Sequence, residues 1–559
     1  MNLTTRIGTS LLIAFGTLCS PVQIGATGSA FGASASEIPH LQRHGTATQL
    51  IVDGKPFLML AGELFNNTAT SLEYIKPIWP KLVQANFNTA LVGVSWNQIE
   101  PQEGKFDFKV LDGVIQGARS HKLHLVLLWF GSWKNSLSSY APDWVKRDFE
   151  RFPRAQFQGG ISIEELSTLS EANWDADARA FAALMRHVRK VDGRRHTVIM
   201  IQVENEVGMH TVSRDHSPAA DQALGGPVPK ELIDYLQQHK DTLIPEFRQV
   251  WAANGFKTSG TWEEVFGTGA GTEGIFMAWN YARYIGRVVE AGKAECALPM
   301  FVNAAMYAVV KDQFTPSRGR PWDLVMDIWR AGGPQIDILS PDVYNVGDFE
   351  AFCAKYTQSG NPLLIPETSS GPGCAARAIY AFGRYDAIGF SPFGVDRLGQ
   401  DSELTGVYGL LSRLTPLILE HQGNGTMSAV LLEPKDPPQK IQLGNYTLEV
   451  AFLNPQKTLG EPPPQGPVAA IFIAAGPNEY FAAGSGVTVN FSPSTPGPPH
   501  VGLATVEEGA FVNGRWVPGR VMAGDDDDEG QYILLNRPSG CCSPSSKKLI
   551  QHITLYRYR

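Results

Sequence analysis

Between Phe57 and Pro392 one pattern recurs eight times: a short, nearly continuous apolar run, then residues with helical spacing. The runs are Phe57–Gly62, Thr89–Ser95, His124–Phe130, Thr197–Val203, Pro299–Ala304, Ile336–Val343, Pro362–Pro366 and Ala387–Pro392. Continuous rather than alternating hydrophobicity marks strands buried on both faces, the condition of a parallel sheet covered by helices. Helical patterns lie between them: Ser71–Gln84, which carries Leu72, Ile75, Ile78, Trp79, Leu82 and Val83, then Ala176–Val191 and Gly274–Glu290, and Ser402–His421 follows as the last helix. Eight such units predict an α/β fold, a (β/α)8 TIM barrel. An open doubly wound sheet is the alternative, but it calls for a Gly-rich phosphate turn after an early strand, and the sequence has none. Ahead of the barrel, Gln49–Pro56 reads as a hairpin turning at Asp53-Gly54.

Past Gly423 the texture changes. Short runs such as Thr447–Phe452, Ala469–Ala474, Gly486–Phe491, Tyr532–Leu535 and Ile553–Tyr556 are separated by Pro/Gly-rich segments, which predicts an all-β sandwich domain. Only Trp516 represents tryptophan there, so the sandwich is expected to support the barrel rather than bind polysaccharide. The acidic run Asp525–Glu529 reads as a solvated loop, since its spacing lacks an EF-hand pattern.

The N-terminus has the form of an export signal. Arg6 is the only charge before Glu37, Leu11–Phe15 is apolar, and Ala33-Ser34-Ala35 offers a cleavage site, with cuts after Ala26 or Ala30 as alternatives. The expected organisation is therefore a signal over 1–35, a barrel over 36–423 and a sandwich over 424–559, in a periplasmic or extracellular protein. The net charge is -8 without any Lys/Arg block, which argues against nucleic acid or an anionic membrane as partner. Oligomeric state is not legible. An oxidising compartment would permit a disulfide, and Cys353–Cys374 is the closest non-adjacent pair. Neither a zinc-type spacing nor a cofactor motif occurs, so no metal and no cofactor is expected.

Two of the apolar runs end in carboxylates. IMIQVENEVG, at Ile199–Gly208, stops at Glu204-Asn205-Glu206, and PLLIPETSSG, at Pro362–Gly371, stops at Glu367. In a barrel these endings fall on the carboxyl-end face, where catalytic groups gather. A protonated and an ionised carboxyl at such a place are the equipment for glycoside hydrolysis, one as proton donor and one as nucleophile. On an extended strand Glu204 and Glu206 share a face, so alternation alone does not choose between them.

The strand-four VENE and strand-seven PE endings resemble clan A of the retaining barrel glycosidases. Within that clan the N-terminal half resembles glycoside hydrolase family 35, the β-galactosidases, through Leu60-Ala61-Gly62-Glu63, Trp79-Pro80-Lys81-Leu82, Asn88-Thr89, Trp96-Asn97, Glu100–Phe108 and Gln202–Glu206. The sequence departs from that family after strand three, where LLWFGSWKN (Leu127–Asn135) replaces a Gly-Pro-Tyr segment followed by Ala-Glu-Trp, so it looks like a bacterial branch carrying a C-terminal sandwich. The resemblance implies that Glu206, through its Asn-Glu dipeptide, is the acid/base and Glu367 the nucleophile. It implies that Asn205 meets the sugar 2-hydroxyl and that Tyr344 hydrogen-bonds the nucleophile. By position, Glu63, Trp96, Trp129, Trp133, Lys134 and Asn135 are further candidates for substrate contact, with Trp133 expected in a loop beyond strand three. Glu63, Asp342 and Asp396 are the competing carboxylates, while His121 and His124 fall at the wrong end of the barrel for catalysis. The resulting expectation is a retaining β-galactosidase acting on an oligosaccharide or polysaccharide. A retaining β-glycosidase or endo-glycanase of other specificity is the first alternative, and a non-catalytic carbohydrate-binding barrel the second.

Overall fold

The computed structural model describes residues 37–306, 317–344, 347, 349–399, 402–453, 466–512, 514–524, 530, 532–535 and 550–559. The expected export signal, Cys541, Cys542 and the acidic run lie outside these residues. No helix among the described residues is long and apolar enough to cross a membrane.

Strands β1 (His40–His44), β2 (Ala47–Val52) and β3 (Lys55–Phe57) form an antiparallel sheet before the barrel. The β2–β3 hairpin turns at Asp53-Gly54, both with positive φ (52° and 72°), the requirement of a type I′ turn. The barrel strands follow: β4 (Met59–Glu63), β5 (Thr89–Ser95) and β6 (His124–Lys134). A small hairpin, β7 (Arg154–Gln156) and β8 (Ser162–Leu166), intervenes. Then come β9 (Val198–Asn205), β10 (Met300–Met306), β11 (Ile338–Val343), β12 (Leu364–Thr368) and β13 (Gly389–Pro392). They close in the order β10-β11-β12-β13-β4-β5-β6-β9, all parallel. Every one of the eight apolar runs is a barrel strand.

Three local expectations are corrected. The helical pattern Ser71–Gln84 is two short helices, Leu72–Ile75 and Trp79–Gln84, because Pro77 and Pro80 interrupt the backbone ladder. Strand β6 runs on to Lys134, so Trp133 belongs to a strand and not to a loop. Cys353 and Cys374 are buried free thiols and form no disulfide. Burial holds both protonated, with Cys374 pushed up to about 12.

Beyond the helix Glu403–His421 the chain forms two sheets. The strands are β14 (Met427–Leu432), β15 (Gln439–Leu443), β16 (Tyr446–Phe452), β17 (Val468–Gly476), β18 (Glu479–Gly484), β19 (Val487–Pro493), β20 (His500–Val512), β21 (Arg515–Met522), β22 (Ile533–Leu535) and β23 (Ile550–Tyr558). One sheet has the order β14-β17-β18-β23-β20-β21, the other β15-β16-β19-β22. Val430, Leu432, Ala470, Phe472 and Ile553 of the larger sheet join Leu448, Val450, Val487 and Val489 of the smaller in the sandwich core. The opposite face of the larger sheet, with Ala429, Ile471, Ile473, Phe481 and Ile550, belongs to the same apolar cluster as the barrel. The helix Cys374–Tyr385 packs against β14 and β17 there. That two-sided burial explains why VAAIFIA in β17 is apolar at every position.

A chain ending before Met427 would strip this cover and expose that helix, at a cost of about 1.5–3 kcal/mol for each large side chain uncovered. The truncated protein is expected to aggregate or to melt well below the full chain in a thermal scan. A soluble, fully active remainder would contradict the shared core.

Candidate active site

Four carboxyl groups sit at the carboxyl ends of four barrel strands: Glu63 on β4, Glu206 just past β9, Asp342 on β11 and Glu367 on β12. All four are buried. Glu206, Asp342 and Glu367 each offer an oxygen within 4.8 Å of the others. Asp342 pairs directly with Glu367 in the β11–β12 register. Glu204, in contrast, is turned away from this group. The backbone at Glu204 and Glu206 has positive φ (62° and 44°), so the chain is not extended here and the same-face expectation fails. Glu204 packs behind the strand against Asp177, on the helix Glu171–Asp192.

Each side chain of the cleft is held from a named direction. Asn303, on β10, accepts from the Glu206 backbone N–H (3.0 Å) and donates its amide to Asp342 Oδ2 (2.7 Å). Asn135 Nδ2 donates to Glu206 Oε2 (2.7 Å), and Lys134 Nζ donates to Asn205 Oδ1 (2.8 Å). The Tyr344 hydroxyl donates to Glu367 Oε1. Asn205 Nδ2 is buried without a hydrogen-bond partner in the protein, and Asp342 Oδ1 meets no N–H or hydroxyl donor. Glu63 Oε1 and Glu367 Oε2 likewise meet no N–H or hydroxyl donor, so the contact between those two carboxyls needs a proton on one of them.

Protons answer this crowding. Burial, then the charge of Glu367, pushes Glu206 up to about 7, against the opposing pull of Lys134. Burial first and neighbouring carboxylates second hold Glu63 and Asp342 well above the ordinary carboxyl range. The spacing of Glu206, Asp342 and Glu367 would also admit a cation, the one such group among the described residues. Asn135, Asn303 and Tyr344 already donate to Glu206, Asp342 and Glu367 respectively, so the three are read as hydrogen-bonded carboxyls rather than as metal ligands.

The tryptophans expected to meet substrate are elsewhere. Trp96, Trp129 and Trp133 are each 0% exposed. The Trp96 indole N–H donates to Glu100 (2.9 Å), that of Trp129 to Asp177 (2.9 Å) and that of Trp133 to the Leu166 carbonyl (3.2 Å). Trp133 stacks edge-on against Tyr284, with ring centroids 4.5 Å apart. These three belong to the core behind the site, which corrects the reading of them as substrate contacts. Trp279 is buried in the helix Ala270–Glu295. Asp396 accepts from the Phe65 backbone N–H and the Thr68 hydroxyl. The His121 and His124 rings bond backbone carbonyls. Asn303 and Asp177 were not anticipated. Asn303 had a visible signal, a lone amide within the apolar run Pro299–Ala304, whereas Asp177 had none in the polar texture of its helix.

Comparison with known proteins gives two family models. The model described as "Beta-galactosidase", glycoside hydrolase family 42, matches residues 70–269, and a domain of unknown function matches 404–534. The match is thus to family 42, whereas the motifs resemble family 35. A β-galactosidase of Xanthomonas manihotis is 27% identical over 181 residues, covering 31% of this chain. The chain spans about a quarter (27%) of that curated relative. Solved structures that align include the β-galactosidase of the psychrophilic Marinomonas ef1 (TM-score 0.44, 14% identity, 65% of this chain and 60% of that one). Another is the β-amylase catalytic domain of Paenibacillus polymyxa (TM-score 0.45, 10% identity, 63% and 96%).

The raised Glu206 makes a stability prediction. Its folded pKa lies above its unfolded value, so the folded state binds the extra proton between about pH 4.5 and 7, and stability falls as pH rises through that window. Glu206→Gln removes this loss. It is expected to raise the melting temperature at pH 8 relative to wild type, by up to about 3 kcal/mol of stability, with little gain at pH 4.5. An equal shift at both pH values would show that the carboxyl is not held protonated.

Proposed function

We propose that this chain is an exported retaining β-glycosidase that releases terminal β-galactose from an oligosaccharide or a polysaccharide side chain. The observation that carries the proposal is the pair Glu206 and Glu367, with oxygens within 4.8 Å at the carboxyl end of the barrel. Retaining glycosidases hold their carboxyls about 5–5.5 Å apart, while inverting ones need about 6.5–9.5 Å to admit a water.

In this reading Glu367 attacks the anomeric carbon and forms a glycosyl-enzyme. The Tyr344 hydroxyl, donating to Glu367 Oε1, orients that carboxylate. Glu206, whose carboxyl holds its proton up to about pH 7, gives it to the departing oxygen and later takes one from the incoming water. Lys134 occupies the carbonyl oxygen of the Asn205 amide and so leaves Nδ2 as the free donor for the sugar 2-hydroxyl. Galactose as the sugar is supported by the family match over 70–269 and by the Xanthomonas relative. The family 35 motifs support the same sugar from the sequence itself. The export reading rests on the N-terminal residues. The departure at Leu127–Asn135 favours one second reading, the same chemistry on another β-glycoside. A panel of nitrophenyl β-glycosides separates the two.

Glu367→Gln is expected to abolish turnover with the fold intact. Glu206→Ala should lower kcat by about 10²–10⁴-fold on poor leaving groups and far less on activated aryl glycosides. Azide should rescue that variant and yield a β-glycosyl azide. NMR should show the β-anomer as first product, and an α-anomer would overturn the retaining assignment. EDTA should leave turnover unchanged, because no step is routed through a metal.

A further inference from the structure

The bend that aims Lys134 and Asn135 at the site is built on two carboxyls that never reach it. In the β6–β9 register Trp129 pairs with Val203, but Lys134 pairs with Asn205, so β6 spends five steps where β9 spends two. The four intervening residues, Phe130–Trp133, lie opposite Glu204 alone and wrap the Asp177–Glu204 pair. Ser132 N–H donates to both Asp177 Oδ2 and Glu204 Oε1 (3.1 Å each), Trp133 N–H to Glu204 Oε2 (2.7 Å), Ser132 Oγ to Asp177 Oδ2 (2.6 Å) and Trp129 Nε1 to Asp177 Oδ1 (2.9 Å). Gly131 permits this approach, since a Cβ there would lie 2.5 Å from Glu204 Oε1 and 2.8 Å from Asp177 Oδ1.

Both carboxyls are fully buried, and neither forms an ion pair with a basic side chain among the described residues. Two ionised carboxylates so placed would repel each other without solvent to screen them. One proton between them turns that repulsion into a hydrogen bond. Burial raises both carboxyls, and Glu204 further because the charge of Asp177 adds to it, which favours Glu204 as the holder, while Ser132 and Trp129 donate to Asp177. At the far end of the bulge, Lys134 Nζ reaches Asn205 and Asn135 Nδ2 reaches Glu206.

We infer that Glu204 and Asp177 are positioning residues: they share one proton, and the β6 bulge folded around that pair sets the placement of Asn205 and Glu206. The inference deepens the glycosidase reading and rests on it. It assigns to the first glutamate of VENE a role distinct from acid, base or nucleophile.

The test compares three full-length variants with wild type, after wild-type turnover on nitrophenyl and unactivated β-glycosides has been measured. Glu204→Gln supplies a neutral group that can accept from Trp133 N–H while donating to Asp177, so kcat should stay within about threefold of wild type on both substrate types. Glu204→Leu and Glu204→Asp remove or withdraw the acceptors of the β6 amides. They should lower kcat on unactivated substrates by about tenfold to a hundredfold, with a smaller loss on activated aryl glycosides, the signature of a displaced Glu206. If Glu204→Leu fails to fold, the contrast of Gln with Asp decides. Infrared difference spectra at neutral pH, wild type minus Glu204→Gln, should contain a protonated carboxyl band, a readout independent of activity. A Gln variant as inactive as Glu206→Ala would overturn the inference, as would azide rescue of Glu204→Ala to a glycosyl azide. So would unchanged leaving-group dependence in folded Leu and Asp variants, or absence of the band. A wild type that hydrolyses no β-glycoside would instead count against the proposed function, while the infrared band would still report on the pair.

Discussion

The six buried carboxyl groups in and directly behind the cleft meet very few buried cations, and the architecture of the site follows from that imbalance. Glu63, Glu206, Asp342 and Glu367 line the cleft, Asp177 and Glu204 lie behind it, and Lys134 and Arg320 are the basic residues buried nearby. Charge left uncompensated in a low-dielectric interior costs several kcal/mol per group. Protons make up the deficit, each on a carboxyl facing another: Glu63 with Glu367, Asp342 with Glu206, Glu204 with Asp177. A carboxylic acid that survives at neutral pH is thus a product of crowding. The same crowding makes precise placement of each neighbour consequential, because the proton inventory changes with every carboxyl removed.

The barrel was legible because its strands are buried on both faces, so their apolar character needs no phase to be seen. The two strand endings were legible for the converse reason, since Glu204, Asn205, Glu206 and Glu367 are costly inside such runs. What stayed hidden depends on backbone angles and distant partners. Nothing in FGSWKN announces that β6 continues through a bulge to Lys134, or that Trp133 turns into the core to meet Tyr284. The positive φ at Glu204, which separates it from Glu206, has no local signature. Pro77 and Pro80, by contrast, did carry a local signal against one continuous helix, and the apolar spacing of Ser71–Gln84 masked it. In the sandwich, β20 and β21 escaped notice because one long, partly exposed hairpin with several polar and small residues gives weak alternation. β18 is nearly all buried and gives none.

The placement of the tryptophans changes how the site is understood. Rings expected to stack on sugar instead brace the strands that carry the polar groups, each indole N–H satisfied by a carboxylate or a carbonyl. In the proposed reading, recognition falls to hydrogen-bonding side chains, among them Asn205 with its unpartnered Nδ2. A site of that kind discriminates by the geometry of hydroxyl groups more than by apolar contact, because a mismatched hydroxyl leaves a buried polar atom unpaired.

The larger sheet of the sandwich also bears on how the molecule comes to exist. Its strand latest in the chain, β23, is a middle strand, flanked by β18 and β20, and Ile550 at its start joins the barrel's apolar cluster. During synthesis the helix Cys374–Tyr385 emerges long before the surface that will cover it. The nascent barrel must hold an apolar flank open until the sheet can close around β23, a long-range pairing of the kind that folds slowly. The interval between those two events is a window in which chaperones, or other copies of the chain, would find a hydrophobic surface to bind.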